Sequence, residues 1–264
     1  MVNECEEQYE NTGRLKMLLE QNEFVCTVLE LEETDSTNRV AKELAINGAP
    51  EGSLVVARKQ SGGKGRLGRS FFSPEGGIYM SMILRPQIPA DRAVLITTCA
   101  AVAVARAIER VSDVTAGIKW VNDIFVNGKK VCGILAEAGL EPEQTAPAYV
   151  ILGIGINVKK QSVPEALKEI VGCLEEDNGK RISKEVLIAE VWKEFGKLYK
   201  SISDAIYMEE YKGRSVLLGK EVTVFSPDGD YKATVTDIDR DGHLVIDRQG
   251  DMLKLSCGEV SVKV

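Results

Sequence analysis

The apolar residues of the chain fall into short runs bounded by Gly, Pro, Asn and Asp, and into longer stretches without such breakers. Short runs of this kind predict strands. In the first 160 residues, strands are predicted at 24–31, 52–59, 78–84, 117–120, 124–126, 131–137 and 149–158. Asn127-Gly128, between the fifth and sixth of these, is a strong signal for a two-residue hairpin turn. Together the strands predict a mainly antiparallel sheet.

Longer stretches predict helices around this sheet. They are expected at 36–46, 90–111, 164–172 and 183–200. Asp35 or Ser36 is suited to cap the first helix. The last helix carries an apolar stripe, typical of a core-facing side, at Leu187, Val191, Phe195 and Leu198. Residues 1–22 are polar and show only a weak helical pattern.

A second, smaller unit is predicted from residue 215. Short β runs at 221–225, 232–239, 243–248 and 252–255 are separated by SPDGD, RDG and RQGD. Turn signals about every ten residues favour a small barrel of five or six strands. The chain is therefore interpreted as an α+β domain over residues 24–214 followed by a β domain over residues 215–264.

Composition excludes several classes of function. With 264 residues, 44% hydrophobic and 28% charged, the chain has the composition of a soluble globular protein. A net charge of −7 argues against non-specific nucleic-acid binding. The sequence has neither an 18-residue uncharged apolar run nor an apolar signal segment, so we expect a cytoplasmic protein without a membrane partner. Six cysteines without metal-like spacing are expected to be free thiols, most of them buried: Cys5, Cys26, Cys99, Cys132, Cys173 and Cys257.

The most informative segment is residues 59–77, KQSGGKGRLGRSFFSPEGG. It holds six glycines and four cations, and nothing apolar precedes Leu67 within it. Such a segment is a loop. Its glycines let the backbone approach a ligand, and its Lys and Arg side chains suit phosphate.

The residue inventory limits the chemistry. The single histidine, His243, lies in the predicted C-terminal barrel, and no GxSxG, HExxH or Cys/His pairing occurs. Lys64 is followed by Gly65 rather than Ser or Thr, so the loop is not a Walker A motif. Cations and backbone amides remain, which favours a reaction at phosphate governed by positioning and charge neutralisation.

Five motifs in order resemble the catalytic domain and C-terminal region of biotin–protein ligases. They are DSTN (35–38), GKGRLGR with FFSPEGG (63–77), KWVND (119–123), KK with GILAE (129–137) and GIGIN (153–157). The resemblance runs from about residue 28 to the C-terminus. The chain departs from the family pattern at Lys64, where Arg is common, Phe71, where Trp is usual, Val121, where Pro is usual, and Cys132, where a small residue is expected. None of these changes removes a group that the chemistry requires.

The resemblance implies a class II synthetase-like catalytic domain with an SH3-like barrel at its C-terminal side. It also implies an ATP-dependent ligase. The biotin carboxylate attacks the α-phosphate of ATP, with Mg²⁺ on the polyphosphate, and biotinyl-5′-AMP forms. A lysine of the biotin carboxyl carrier protein of acetyl-CoA carboxylase, or of a related carboxylase, then takes the biotin.

Site residues follow from the resemblance, motif by motif. Lys119 and Arg66 are expected to be catalytic. Biotin is expected to contact Ser36, Thr37, Asn38, Gln60, Gly63, Lys64, Gly65, Arg66, Lys119 and Gly133. ATP or the adenylate is expected to contact Arg66, Arg69, Phe71, Asn122, Lys130 and Asn157. No protein ligand for a metal is assigned.

Two alternatives remain open. A lipoate–protein ligase shares the fold and the adenylation chemistry, and a biotin-sensing protein without catalysis shares the pocket. KWVND and the C-terminal barrel favour biotin, while Arg66 and Lys119 favour catalysis. We expect no DNA binding, because about two dozen residues precede the first predicted strand. A homodimer formed by pairing of sheet edges is compatible with the sequence.

Overall fold

The computed structural model describes residues 13–20, 23–25, 27–139, 146–175, 181–226, 229–256 and 259–261, the last three by their backbone alone. A seven-stranded sheet forms the centre, in the order β1-β2-β3-β7-β6-β5-β4. Its strands are β1 (Thr27–Thr34), β2 (Ser53–Gln60), β3 (Ile78–Leu84), β4 (Gly117–Lys119), β5 (Asp123–Val126), β6 (Lys129–Gly139) and β7 (Tyr149–Ile156). β1 and β2 pair parallel, and every other pair is antiparallel.

Helices cover the sheet. Residues 13–20 form α1. The others are α2 (Thr37–Ile46), α3 (Val94–Val111), α4 (Lys184–Tyr199) and α5 (Met208–Gly213). α3 is buried along most of its length and packs against α4 and α5. The apolar stripe expected on α4 is found, with Leu187, Val191 and Phe195 fully buried and Leu198 partly buried.

The two faces of the sheet support separate cores, because side chains alternate along a strand. On β3, Met80 and Met82 belong to the large core that includes α3. Ile83 instead packs with Ala41 and Ala45 of α2 on the opposite face. Every residue of β3 is buried, so the sheet is enclosed on both sides here.

The α2 face of the sheet has room for a ligand because small residues lie on it. Counting by two from Ile83 gives Ser81, and counting by two from Ile151 of β7 gives Gly153 and Gly155. Gly155 pairs with Gly133 of β6, and Gly153 pairs with Ser81. The strand register therefore gathers three glycines and a serine next to the N-terminus of α2.

A five-stranded antiparallel sheet forms the C-terminal unit, in the order β11-β10-β9-β8-β12. Its strands are β8 (Glu221–Phe225), β9 (Tyr231–Ile238), β10 (Leu244–Arg248), β11 (Asp251–Leu255) and β12 (Glu259–Ser261). Val222, Val235 and Leu244 of this sheet join the same apolar core as α3. The predicted α+β class with a small β unit at the C-terminus is thus confirmed.

Three details of the sequence prediction are wrong. No α-helix forms at 164–172; only a 3-10 turn occurs, at Glu165–Leu167. The cause is tertiary, because the backbone of Lys130 bonds Ile170 and Gly172 and holds this segment beside β6. The first strand begins at Thr27 rather than at residue 24, and Phe24 packs against the rings of Phe195 and Tyr199.

The third error concerns the start of the long helix. α3 begins at Val94, after a 3-10 turn at Ala90–Arg92. Cys99 and Cys132 are buried free thiols, as expected, and Cys173 is also buried. Cys5, Cys26 and Cys257 lie outside the described residues. Within the part of the chain that the structure describes, no helix combines the length and apolar character needed to cross a membrane.

Candidate active site

A narrow cavity, which we call the head cavity, lies at the N-terminus of α2 above the small residues of β3, β6 and β7. It is lined by Ser36, Thr37, Asn38, Gln60, Lys64, Phe71, Met80, Gly133, Leu135, Gly153, Ile154 and Gly155. Its volume is about 30 Å³, room for roughly two waters. Six of the ten residues expected to contact biotin line it: Ser36, Thr37, Asn38, Gln60, Lys64 and Gly133.

Hydrogen bonds connect the polar residues of this cavity into one network. The Gln60 carboxamide oxygen accepts from the Thr37 backbone N–H at 2.8 Å and lies 3.0 Å from the Thr37 hydroxyl. Ser81 Oγ is 2.7 Å from Thr37 Oγ1 and 2.6 Å from Asn38 Oδ1. Asn38 Nδ2 donates to Glu137 Oε2 at 2.6 Å. Ser81 and Glu137 were not among the predicted site residues, although a small polar residue in the otherwise large-residue run IYMSMIL was a usable signal.

The expected helix cap is not formed by a side chain. Ser36 occupies the N-cap position of α2, but its hydroxyl makes no capping hydrogen bond. Gln60 instead satisfies the first backbone N–H of the helix, that of Thr37, from the end of β2. Asp35 accepts from the Ser36 backbone N–H at 2.8 Å and pairs with Arg39. Ser36 lines the head cavity.

Phe71 closes one side of the head cavity. A Cβ on Gly155 would come within 2.4 Å of its ring, and one on Gly133 within 3.0 Å. Only glycine at 155 leaves space for the ring as it lies here. A Cβ on Gly153 would come within 2.1 Å of Asn38 Oδ1. In this structure the space above Gly133 and Gly155 is occupied by the Phe71 ring, and the space above Gly153 is occupied by the Asn38 side chain.

The glycine- and cation-rich loop at residues 61–70, which we call the basic loop, folds back on itself beside Phe71. Phe71 N donates to Gly63 O at 2.9 Å and Gly65 N donates to Arg69 O at 2.7 Å. Leu67, at the tip, has a left-handed backbone (φ 56°) and is 70% exposed. Arg66 points inward, where a guanidinium nitrogen donates to Asn122 Oδ1 at 3.2 Å.

Beyond Phe71 lies a larger opening of about 750 Å³, which we call the basic cleft. The basic loop, the β4–β5–β6 strands and residues 169–170 and 216–220 surround it. It brings together seven of the predicted site residues: Gly65, expected to contact biotin, and Arg66, Arg69, Phe71, Lys119, Asn122 and Lys130, expected near ATP or the reacting carboxylate. Phe71 is the residue common to the linings of both openings.

The basic cleft has a strong positive bias. Arg66, Arg69, Lys119, Lys130 and Lys220 line it, against Asp123 and Glu169. Lys130 Nζ lies 2.7 Å from Asp123 Oδ1. Lys119 Nζ lies 5.9 Å from the centre of the Phe125 ring. Such a cleft suits a polyphosphate.

Two titratable groups near Lys130 and Phe71 stay neutral. Burial raises the pKa of the Cys132 thiol well above its ordinary value, so the adjacent cysteine stays protonated and is a poor nucleophile. Burial also raises the pKa of Tyr79 to about 12, and its hydroxyl donates to Pro74 O at 2.7 Å. These groups frame the site and offer no acid–base chemistry at neutral pH.

Asn157, a predicted nucleotide-binding residue, and His243, the single histidine, both lie outside the linings of the two openings. Asn157 lines a neighbouring cavity with Lys129 and Lys159 rather than the basic cleft, so the structure does not place it near the other nucleotide residues. His243 pairs with Asp239 in the β9–β10 turn, beside Asp241. The His243 imidazole is thus held within the C-terminal unit.

Two family models match the chain in order. The Biotin/lipoate A/B protein ligase family matches residues 30–157, and the Biotin protein ligase C terminal domain matches residues 217–263. The first range holds the residues of the head cavity and most of the basic cleft. The second range holds the five-stranded sheet.

Individual proteins are similar over most of the chain. The Bifunctional ligase/repressor BirA of Bacillus spizizenii is 37% identical over 236 residues, 86% of this chain and 71% of the relative. The Biotin--[acetyl-CoA-carboxylase] ligase of Mycobacterium tuberculosis is 29% identical, with 86% of each chain covered. The biotin protein ligase from Aquifex aeolicus in complex with biotin and ATP superimposes with a TM-score of 0.77 and 27% identity, covering 89% of this chain and 97% of that one. The chain therefore belongs to the biotin protein ligase family.

Proposed function

We propose that this protein forms biotinyl-5′-AMP from biotin and ATP and transfers the biotin to a lysine of a biotin carboxyl carrier protein. In the first step a biotin carboxylate oxygen bonds to the α-phosphorus and pyrophosphate leaves. In the second step the lysine amine attacks the carbonyl of the mixed anhydride, loses a proton, and AMP leaves. Carrier identity rests on relatives named biotin--[acetyl-CoA-carboxylase] ligase.

The observation that carries this proposal is the meeting of two unlike openings at Phe71. A head cavity with hydroxyl and amide groups lies on one side, and a cleft lined by cations lies on the other. A molecule with a polar ring at one end and a carboxylate at the other fits that arrangement. Its carboxylate reaches the place where the cations hold a phosphate.

Head-group chemistry favours biotin over lipoate. The ureido group of biotin has two N–H donors and one carbonyl acceptor, whereas the dithiolane ring of lipoate has neither. Thr37, Gln60 and Ser36 offer hydrogen-bonding atoms to the head cavity. A site that hydrogen-bonds its substrate discriminates strongly against an analogue without those groups.

Charge neutralisation accounts for the proposed catalytic residues. Negative charge builds on the α-phosphate as the carboxylate attacks, and Arg66, Lys119 and Lys130 line the cleft where it would develop. Arg66 offers a forked donor to phosphate. Lys130 is ion-paired with Asp123, so it must either give up that contact or bind the carboxylate and the phosphate together. Arg69 and Asn122 are proposed to contact the nucleotide. Gly63 and Gly65 are proposed to let the loop backbone come close to the ligand.

Mg²⁺ is proposed to enter with ATP. Two carboxylates line the cleft, those of Asp123 and Glu169, and the carboxylate of Asp123 is already paired with Lys130. Such a donor set suits an ion carried mainly by the substrate phosphates. The ion would supply further charge neutralisation on the polyphosphate.

The domain boundary at residues 214 and 215 is kept as a proposal. Residues 24–214 would carry catalysis and residues 215–264 would support it. Absence of nucleic-acid binding and formation of a homodimer also remain predictions.

The direct test uses the purified chain with ATP, Mg²⁺ and either biotin or lipoate, with and without a carrier domain. We expect pyrophosphate release with biotin alone and biotin on the carrier lysine when the domain is added. Labelling with lipoate but not biotin would replace the proposal with lipoate ligation. Biotin binding without pyrophosphate release would identify a sensor.

A further inference from the structure

Glu137 lies on β6 outside the lining of the head cavity, yet its side chain reaches the hydrogen-bond network behind it. Its Oε2 accepts from Asn38 Nδ2 at 2.6 Å. Asn38 is 7% exposed and Ser81, the next member, is fully buried. Solvent therefore has little access to this part of the network, and its own donors and acceptors must balance.

A carboxylate oxygen only accepts, and this fixes the direction of the next bonds. Asn38 must turn its NH₂ group to Glu137, so its carbonyl oxygen faces Ser81. That oxygen, 2.6 Å from Ser81 Oγ, can only accept, so the Ser81 hydroxyl proton is used there. Ser81 Oγ then accepts from Thr37, 2.7 Å away.

The opposite end of the network is fixed in the same way. The backbone carbonyl of Phe71 only accepts, and Ser73 Oγ donates to it at 2.9 Å. Ser73 Oγ in turn accepts from Gln60 Nε2 at 3.0 Å. The Gln60 carbonyl oxygen is therefore turned to Thr37.

With both ends of the network fixed in this way, its middle has one hydroxyl proton fewer than it has oxygen–oxygen contacts. Three close oxygen–oxygen contacts join Asn38 to Ser81, Ser81 to Thr37, and Thr37 to Gln60. Only two hydroxyl protons, those of Ser81 and Thr37, serve the three contacts. One accepting lone pair at Thr37 Oγ1 or Gln60 Oε1 thus lacks a donor, and both residues line the head cavity.

We propose that Glu137 is a positioning residue that sets the hydrogen-bond direction of the Asn38–Ser81–Thr37 chain, so that the head cavity presents acceptors to an N–H donor on the substrate. The inference rests on the proposed function and deepens it, because a ureido N–H supplies the missing proton. Without an acceptor at 137, the Asn38 amide is free to turn over. The Ser81 hydroxyl can then donate to Thr37 Oγ1, and the Thr37 hydroxyl can donate to Gln60 Oε1. No acceptor of the chain then lacks a donor.

The test compares Glu137→Met, which removes the acceptor, with Glu137→Gln, which keeps an accepting oxygen. Biotin binding is measured calorimetrically, and the KM for ATP is measured by pyrophosphate release. We expect E137M to weaken biotin binding about tenfold, the loss of one hydrogen bond, without changing the KM for ATP. E137Q should stay within about threefold of the unaltered chain. Glu43→Met, on the exposed side of α2, is the matched control and should change neither value.

A second measurement separates a directed chain from general packing. Ser81→Ala interrupts the chain between Asn38 and Thr37, so E137M should cost less than about twofold once S81A is present. The preference for biotin over biotin methylated on a ureido nitrogen should also fall about tenfold in E137M. Additive effects of the two substitutions would overturn the proposal, as would equal losses for biotin and ATP.

Melting temperatures are recorded for every variant. If E137M does not fold, S81A decides: unchanged biotin affinity in a folded S81A variant overturns the inference, and weakened affinity with an unchanged KM for ATP supports it. An unaltered chain that fails to bind biotin would overturn the proposed function itself. An unaltered chain that binds biotin no better than folded E137M would overturn only the role of Glu137.

Discussion

Single residues in the basic cleft differ in what they already contact. Lys130 is ion-paired with Asp123, so an incoming phosphate must compete with that carboxylate. Lys119 lies on β4, two strands away from Lys130 on β6, faces the ring of Phe125 and lines the same cleft. The two lysines can therefore make different contributions to the first half-reaction even though both bring one positive charge.

Lys119→Ala is expected to abolish adenylate formation without unfolding the protein. Its charge would offset the biotin carboxylate and the α-phosphate as they approach, and loss of one such contact slows a reaction by roughly 10²–10³-fold. Pyrophosphate release measures the rate, and thermal melting checks the fold. Lys168→Ala, outside the cleft and paired with Glu165, is the control. Near-normal pyrophosphate release in folded Lys119→Ala would remove Lys119 from the catalytic group.

Residues of the site were predictable where the motif itself carries the chemistry. Glycines next to cations predicted the loop, and Lys119, Asn122 and Lys130, which were assigned through the family resemblance, line the basic cleft. Contacts made across the sheet were not predictable, because they depend on strand register. Ser81 meets Asn38 only because β3 lies beside β7 under α2, and Glu137 reaches Asn38 from a third strand.

At the scale of elements, the basic loop carries the clearest expectation. We predict that amide hydrogen exchange at residues 61–70 is fast without ligand and slow with biotinyl-5′-AMP. Its glycines make ordering costly and its cations repel one another until an anion binds. The few backbone bonds across the loop, such as Gly65 to Arg69, are partly open to solvent. Equal protection in both states would contradict this, and the buried strand β3 should be slow in both.

Elements were predicted best where local pattern and tertiary environment agree. The strands at 78–84 and 221–225 match residue for residue, because turn signals bound an apolar run in each. The stretch at 164–172 failed for the opposite reason. Its side chains permit a helix, but backbone bonds between Lys130 and both Ile170 and Gly172 hold the end of this segment beside β6, and only a 3-10 turn forms before it. A single sequence does not show such a partner.

At the scale of the whole molecule, charged side chains tie α3 to α5. Arg106 on α3 contacts Glu210 on α5, and Arg214 contacts both Glu210 and Glu109. The Arg214 guanidinium lowers the pKa of Glu109 below its ordinary 4.5, and the Arg106 guanidinium lowers the pKa of Glu210 in the same way. Because the folded-state pKa is depressed, this stabilisation is present above about pH 4.5 and is lost as the pH falls below it.

Glu210→Gln is therefore expected to lower the free energy of unfolding at neutral pH by about 1 kcal/mol, a modest value because these side chains are partly solvated. It should also make that free energy less sensitive to pH between about 5 and 3. Urea unfolding at several pH values measures both. Glu221→Gln, at an exposed pair on β8, should leave the pH dependence unchanged. A Glu210→Gln curve parallel to that of the unaltered chain would show that Glu210 does not contribute.

The turn between β9 and β10 of the C-terminal sheet meets the segment that links β4 to β5. Trp120 Nε1, in the segment between Lys119 and Asn122, donates to Gly242 O of the β9–β10 turn at 2.8 Å. Tyr211 of α5 donates to Val121 O at 3.0 Å. Both contacts hold Trp120 and Val121, the two residues between Lys119 and Asn122, which line the basic cleft. The C-terminal sheet thereby supports the basic cleft, the proposed nucleotide side of the site, whereas the lining of the head cavity includes no residue of that sheet.

Trp120→Phe is predicted to raise the KM for ATP about three- to tenfold while leaving biotin affinity unchanged. The substitution keeps an aromatic ring but leaves Gly242 O without its donor, so the turn no longer fixes the backbone of residues 119–122. Trp192→Phe is a matched control, because Trp192 is also fully buried but its indole N–H has no hydrogen-bond partner to lose. Pyrophosphate release against ATP concentration and calorimetric titration with biotin give the two values. If both tryptophan variants shift the KM for ATP equally, or if biotin affinity falls alongside it in Trp120→Phe, the effect is general packing and the C-terminal turn does not position the nucleotide site.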